Sequence, residues 1–113
     1  MTLEELREQI DVLDRQLVEL LSERARAAQM IGHLKVATLL PVYEPEREKV
    51  IYANVRAANK GPLPDIELTH IYERIIDVMR ALQRDELASE RNALAKAQGQ
   101  GAGAETPGTG NKQ

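Results

Sequence analysis

The sequence predicts an all-α protein of three helices, the first of them long. Apolar residues recur every three or four positions as far as about residue 90, which is the period of an amphipathic helix. No segment alternates apolar and polar residues with the period of two that is typical of a strand. Five of the seven glycines fall in the last fifteen residues, so the periodic part of the chain contains only Gly32 and Gly61.

The first helix is predicted from about Thr2 to about Ala37. No proline interrupts it before Pro41, and Gly32 costs about 1 kcal/mol in a helix without ending it. One apolar face runs along nearly the whole helix. It comprises Leu3, Leu6, Ile10, Leu13, Leu17 and Leu20 and continues through Ala28 and Ile31.

Two further helices follow. The second is predicted to begin near Pro45, because proline is favoured at the first helical position, and to end at a glycine C-cap signal at 59–61. The third is predicted to follow residues 62–64, with Asp65 as its N-cap, and to reach roughly Glu90. Its apolar stripe is Leu68, Ile71, Tyr72, Ile75, Met79 and Leu82.

The end of the chain has a different composition. The last fifteen residues contain no apolar residue larger than alanine, so they cannot bury enough surface to offset the entropy of ordering them. We therefore predict one helical domain over residues 1–92 and a disordered, glycine-rich tail over residues 93–113.

Composition excludes several classes of protein. The absence of cysteine rules out disulfides, thiolate metal sites and a cysteine nucleophile. The net charge is −3 with the two signs interspersed, so we expect no nucleic-acid partner. No apolar run is long enough to span a membrane, and the N-terminus lacks the pattern of a signal peptide. We expect a cytoplasmic protein.

The length of the first helix predicts an oligomer. A helix of about 36 residues is about 54 Å long, whereas a compact domain of about 90 residues has a diameter of roughly 30 Å. Because the stripe is apolar nearly end to end, another chain must cover the part that extends beyond the domain. We predict an intertwined homodimer in which the long helices pack antiparallel.

Two cations, Arg24 and Lys35, interrupt the apolar stripe about 16 Å apart along the helix axis. Burying an unpaired cation costs several kcal/mol, so each requires an anion. An internal salt bridge, a side chain that reaches the surface, or a small bound anion would each meet this requirement. Arg7 is about 25 Å from Arg24. It is either an exposed arginine of the first turn or, in an antiparallel dimer, part of the other subunit's site.

Polar residues of the other two helices could complete an anion site. Arg47 shares a face with apolar residues and is flanked by Glu44 and Glu48. This group is either a set of surface ion pairs or an arginine clamp beside a carboxylate that accepts a hydroxyl. Gln83 follows Met79 by about one turn, and it is either a rim residue or a directed amide donor.

Cofactor chemistry is not indicated. His33 and His70 fall on faces away from the apolar stripes, with no partner at ligand spacing, so we predict no metal site. There is also no glycine-rich phosphate loop and no Ser/His/Asp set. Several cations, a carboxylate and an amide can bind an anion and stabilise developing charge, but offer little means of covalent catalysis.

These residues lie in segments that resemble the all-helical class of chorismate mutase. The resemblance covers about residues 3–86 and is carried by LREQIDVLDRQLVELLSER (6–24), IGHLK (31–35), PVYEPEREK (41–49) and IIDVMRALQ (75–83). It implies a three-helix chain that forms an intertwined six-helix homodimer. It also implies the rearrangement of chorismate to prephenate, in the biosynthesis of phenylalanine and tyrosine, without a cofactor.

The resemblance implies how the substrate would be bound. Arg24 and the partner subunit's Arg7 would bind the two substrate carboxylates, with Arg47 contributing to the same polar cage. Glu48 would hold the ring hydroxyl, with Glu44 nearby. Glutamate at position 44 is a departure, since some members have the shorter aspartate there.

It also implies a catalytic set of Lys35, Gln83 and Arg24. Lys35 would bind a carboxylate and, with Gln83, would donate hydrogen bonds to the ether oxygen. Met79 departs from the pattern, because relatives often carry a small polar residue there that touches a carboxylate. One substrate hydrogen bond is therefore expected to be missing.

Two alternatives remain open. An isochorismate pyruvate lyase has the same fold, and it is less favoured because Lys35, Glu48 and Gln83 together are typical of the mutase. A non-catalytic helical dimerisation or regulatory module would have inward cations that are merely paired. Its sign would be Arg24 and Lys35 bonded to protein carboxylates, with no cavity between them.

Overall fold

The structure, a computed structural model, describes residues 1–102, which form three α-helices and no strand. Helix α1 spans Leu3–Thr38, α2 spans Pro45–Ala58 and α3 spans Asp65–Ala102. The predicted all-α class with a long first helix is therefore confirmed. No helix in this part of the chain is long and apolar enough to cross a membrane.

Helix α1 begins at a capping box. The Thr2 hydroxyl accepts from the Glu5 N–H at 3.1 Å, and Glu5 Oε1 accepts from the Thr2 N–H at 2.8 Å, so two otherwise unpaired donors are satisfied. The helix ends at Leu39, whose left-handed φ of 61° turns its N–H back to the Lys35 carbonyl. Both ends lie close to their predicted positions.

The turn between α2 and α3 differs in detail from the prediction. Pro45 is the first residue of α2, as predicted. Asp65, however, is the first residue of α3 rather than the residue before it. Its carboxylate accepts from Asn59 Nδ2 at 2.7 Å, and the same amide donates to the Leu63 carbonyl at 2.8 Å. The side chain of Asp65 therefore ties the start of α3 to the end of α2.

Helix α3 is longer than predicted. The sequence predicts an end near Glu90, whereas α3 extends to Ala102. The added segment begins RNALAKAQ, and alanine, leucine, lysine, arginine and glutamine are strong helix formers that need no packing partner to favour a helix. Residues 103–113, the remainder of the predicted tail, lie outside the described residues. The predicted boundary near residue 92 stays a prediction.

Helix α3 packs against both α1 and α2. Its contact with α1 contains the apolar core of the described chain, which consists of Ala28, Ile76 and Met79 at 4–6% exposure. Gly32 is also buried there. A Cβ at position 32 would lie 2.8 Å from the Gln83 carbonyl oxygen and 3.0 Å from the Gln83 Cα, which is closer than side chains tolerate. Glycine therefore allows the backbones of α1 and α3 to approach each other.

Most of the apolar stripe of α1 is uncovered within the single chain. The leucines and isoleucine of the stripe between positions 3 and 20 are 43–61% exposed. The chain measures 69 × 35 × 18 Å with a radius of gyration of 20.5 Å, against about 13 Å for a compact domain of 100 residues. An exposed apolar face of this length marks an interaction surface.

Candidate active site

A pocket lies where α3 meets α1, α2 and the segment that joins them. Its volume is about 420 Å³, within the usual range for sites that bind small molecules. Every predicted site residue except Arg7 lines it. The lining side chains include Arg24, Ile31, Lys35, Val42, Glu44, Arg47, Glu48, Ile51, Ile76, Met79, Arg80 and Gln83.

Lys35 is the buried cation of this pocket. It is 4% exposed, and its Nζ donates to Gln83 Oε1 at 2.8 Å and to the Val42 carbonyl at 3.3 Å. The nearest carboxylate oxygen, Oε2 of Glu44, is 3.7 Å away. The charge is therefore met mainly by neutral oxygens, and the close approach of the helices at Gly32 brings Gln83 within reach.

The contact with Lys35 also orients the Gln83 amide. A lysine ammonium can only donate, so it fixes the amide oxygen of Gln83 on its own side. The amide nitrogen then remains available to donate to a bound molecule. Two donors from different helices, Lys35 Nζ and Gln83 Nε2, thus belong to one pocket wall.

Two of the pocket arginines, Arg24 and Arg47, lack carboxylate partners among the described residues. Within residues 1–98, neither Arg24 nor Arg47 forms an ion pair with the protein; the Arg24 guanidinium lies over the Tyr72 ring, 5.9 Å from its centroid. A cavity is present between Arg24 and Lys35. Lys35 has Glu44 at 3.7 Å, but the unpaired Arg24 and the open cavity differ from the paired cations and filled interior that a non-catalytic module would have.

Arg80 is a pocket residue that the sequence analysis missed. Its Nε and Nη2 donate to Glu48 Oε2 at 3.2 and 2.5 Å, and its guanidinium lies 5.0 Å from the centroid of the Tyr43 ring. The hydrogen bond to Glu48 raises the pKa of Arg80 above its ordinary value. Glu48, expected to be free for a hydroxyl, is therefore also a partner of Arg80.

A signal for Arg80 was present in the sequence. The pocket face of α3 has the spacing i, i+3, i+4, i+7 and consists of Ile76, Met79, Arg80 and Gln83. The predicted stripe instead included Ile75 and Leu82, and with that assignment Arg80 lay outside the expected buried face.

The pKa of Tyr52 is raised above its ordinary value by burial and by the nearby carboxylates of Glu73, Glu48 and Asp77. This phenol therefore keeps its proton at neutral pH.

Arg7 and Met79 differ from the other predicted residues. The Arg7 side chain is 64% exposed, lies 4.0 Å from Glu4, and does not line the pocket of its own chain. Met79 is buried in the pocket wall and offers a thioether in place of a polar group.

His33 has partners that the sequence analysis did not predict. Its Nδ1 lies 3.3 Å from Glu90 Oε2, and with Glu86 the three side chains bring their ligand atoms within 4.8 Å of one another. Sequence spacing alone did not show this grouping, which forms because α3 runs beside the end of α1. This group could hold a metal ion, and it does not line the pocket. His70 lies 3.7 Å from Glu67 of its own helix.

Three helices around a cation-lined pocket define an all-helical protein with a site suited to a small polar anion. The chain belongs to the chorismate mutase type II family, whose family model matches residues 6–84.

Relatives and solved structures agree with this membership. The chain is 40% identical over 86 residues to the bifunctional chorismate mutase/prephenate dehydratase of Aquifex aeolicus, covering 73% of this chain and 24% of that protein. It is 32% identical over 95 residues to the chorismate mutase of Methanocaldococcus jannaschii, covering 83% and 96%. The chain thus spans about a quarter of the length of the bifunctional relatives it matches.

The fold is similar to those of two chorismate mutases of solved structure. Form II of the Thermus thermophilus enzyme gives a TM-score of 0.70 at 36% identity, covering 72% of this chain and 92% of that chain. The Helicobacter pylori enzyme in complex with prephenate gives a TM-score of 0.69 at 32% identity, covering 76% and 93%.

Proposed function

We propose that this protein is a chorismate mutase that rearranges chorismate to prephenate without a cofactor. The observation that carries the proposal is the pair formed by buried Lys35 and Gln83 in one wall of a cation-lined pocket. Family membership makes chorismate the first substrate to test. The solved relative in complex with prephenate has a fold similar to that of this chain.

In the proposed mechanism the arginines hold the substrate in a reactive conformation. Chorismate is a flexible dianion, and Arg24 and Arg47 line the pocket without an ion pair to any carboxylate within residues 1–98. Their charges would bind the substrate carboxylates and favour the compact, chair-like conformer in which the bond-forming carbons are close. Orientation of this kind can supply several kcal/mol.

Lys35 and Gln83 would stabilise the transition state. As the C–O bond breaks, negative charge gathers on the ether oxygen, and two donors already held in place interact more strongly with it than with the ground state. A millionfold acceleration requires roughly 8 kcal/mol. Substrate orientation and these two hydrogen bonds together are of that size.

We further propose a homodimer with sites shared between subunits. The exposed apolar stripe of α1 and the small core of the single chain both support a second copy as its cover. The partner subunit's Arg7 would then reach the pocket and bind a substrate carboxylate. The exposure of Arg7 and its long 4.0 Å separation from Glu4 leave it available for this role.

The proposed activity is tested by incubating the purified protein with chorismate and following both chorismate loss and prephenate formation. Equal rates of loss and formation, well above the rate in buffer, are expected. Isochorismate is assayed in parallel, with release of pyruvate as the readout. Pyruvate release without prephenate formation would favour the lyase, and no conversion of either substrate would favour the non-catalytic module.

A further inference from the structure

Arg80 contacts Glu48 in an unusual way. Both Nε and Nη2 of the guanidinium donate to the same carboxylate oxygen, Oε2. Among the described residues no hydrogen bond ends on Oε1 of Glu48. The two side chains are 23% and 17% exposed, so the pair is largely withdrawn from water. One carboxylate oxygen is therefore held by the arginine, and the other is left for a further donor.

Arg80 is itself fixed from several sides. Its Nη1 lies 3.4 Å from Asp77 Oδ1 on the same helix, and its guanidinium stacks over Tyr43 in the segment between α1 and α2. The guanidinium therefore joins α3 to the start of α2 and to the connecting segment. Three of its five N–H donors contact Glu48 and Asp77, so the orientation of the guanidinium is set mainly by these protein carboxylates.

We propose that Arg80 is a positioning residue that prepares Glu48 to bind the substrate hydroxyl, an inference that rests on the proposed function. It holds the carboxylate so that Oε1 faces the incoming hydroxyl. It also neutralises a negative charge that would otherwise repel a dianionic substrate inside the pocket. Both effects act on substrate binding more than on the bond-breaking step, so loss of Arg80 is expected to raise KM more than it lowers kcat.

The test compares Arg80→Met, which keeps the length of the side chain, with Arg80→Lys, which keeps the charge. Arg84→Met is the matched control, because Arg84 is exposed on the same helix and does not line the pocket. We expect Arg80→Met to raise KM for chorismate about tenfold or more while kcat changes a few-fold at most. Arg80→Lys should recover most of this loss, and Arg84→Met should match the parent protein.

A double-variant cycle separates positioning from a purely structural role. In a Glu48→Gln background there is no charge for Arg80 to neutralise, so adding Arg80→Met should change KM by about twofold or less. The double variant also buries no unpaired carboxylate, so it can fold even where Arg80→Met alone does not. Folding of each variant is checked by circular dichroism.

The outcomes distinguish this inference from the proposed function. A parent protein that does not convert chorismate would overturn both. An active parent with an Arg80→Met variant that behaves like Arg84→Met would overturn the role of Arg80 alone. Equal KM increases from Arg80→Met in the parent and Glu48→Gln backgrounds would do the same.

Discussion

At the residue scale, Lys35 is where burial and charge conflict most. A cation that is 4% exposed has one carboxylate oxygen at 3.7 Å and otherwise neutral acceptors. A buried charge that is not fully compensated lowers stability. Selection for stability alone would therefore favour an apolar residue at position 35. The conflict is resolved if the pocket regularly holds an anion, which is the condition that the proposed function supplies.

Replacing Lys35 by methionine should therefore reduce activity without unfolding the protein. We expect kcat for chorismate to fall by about 10²–10³, the usual effect of removing one preorganised donor at developing negative charge. The free energy of unfolding should change by no more than about 1–2 kcal/mol, because the desolvation penalty disappears with the charge.

Lys49→Met is the matched control for this change. Lys49 is 73% exposed on α2, and among the described residues it pairs only with Glu46 of the same turn, at 3.2 Å, a contact worth tenths of a kcal/mol. Its replacement should leave kcat unchanged in the same steady-state assay. Near-normal turnover of Lys35→Met would remove Lys35 from the catalytic set.

Gln83→Glu should make activity depend on low pH. A carboxyl group at position 83 can donate to the ether oxygen only when protonated, and Lys35, 2.8 Å from the present amide oxygen, would favour its ionised form. Activity should therefore be low at neutral pH and rise as the pH falls. The measurement is kcat against pH for the variant and the parent protein; parallel profiles would argue against the donor role.

At the element scale, the helices that the sequence predicts best are those with local end signals. Thr2 with Glu5 forms a capping box and Pro45 starts α2, and both depend only on neighbouring residues. The inward placement of Arg24 and Lys35 was also predictable, because an apolar stripe in a helix defines its buried face.

The features that the sequence did not predict are the contacts between helices, because these depend on how the helices cross. The pocket face of α3 is set by its close contact with α1 at Gly32, which no single-helix period contains. That crossing brings His33 toward Glu90, and the packing of α3 against α2 brings Arg80 toward Glu48. The sequence identified which residue types could form an anion site, but the pairing between helices required the three-dimensional arrangement.

Gly32→Ala tests the crossing directly. In an isolated helix this change is stabilising by about 1 kcal/mol. Here the new methyl would meet the backbone of Gln83 at 2.8–3.0 Å, so α1 and α3 must separate. We expect the free energy of unfolding to fall by about 1–3 kcal/mol and kcat to fall because Lys35 moves away from Gln83. An increase in stability, measured by urea unfolding, would contradict the close approach.

At the scale of the whole molecule, the single chain has too small a core for its surface. Three apolar residues at the contact of α1 and α3 are buried, while the stripe of α1 is about half exposed. A second copy that covers the stripe would bury several leucines, each worth about 1.5–3 kcal/mol when fully covered. Dimerisation and folding are therefore expected to be coupled.

Leu17→Glu should separate the subunits. It places a charge in the centre of the apolar stripe, where an interface would leave it unpaired. Arg15→Glu is the control, because Arg15 lies on the opposite, polar side of α1. Sedimentation should give a dimer for the parent and the control and a monomer or unfolded chain for Leu17→Glu. Equal sedimentation of all three would contradict an interface along this stripe.

Sharing of sites is tested by mixing two inactive variants. Arg7→Ala and Arg24→Ala should each be impaired, because each removes a carboxylate-binding cation from both sites of its homodimer. If Arg7 acts on the partner's pocket, a heterodimer of the two variants carries both defects in one site and leaves the other site intact. Equal mixing gives half heterodimers, so about one quarter of the parent activity should return. If Arg7 instead served its own chain, every site would lack one arginine and subunit exchange would restore nothing. The roughly 25 Å between the two arginines along one helix makes the first outcome the expected one.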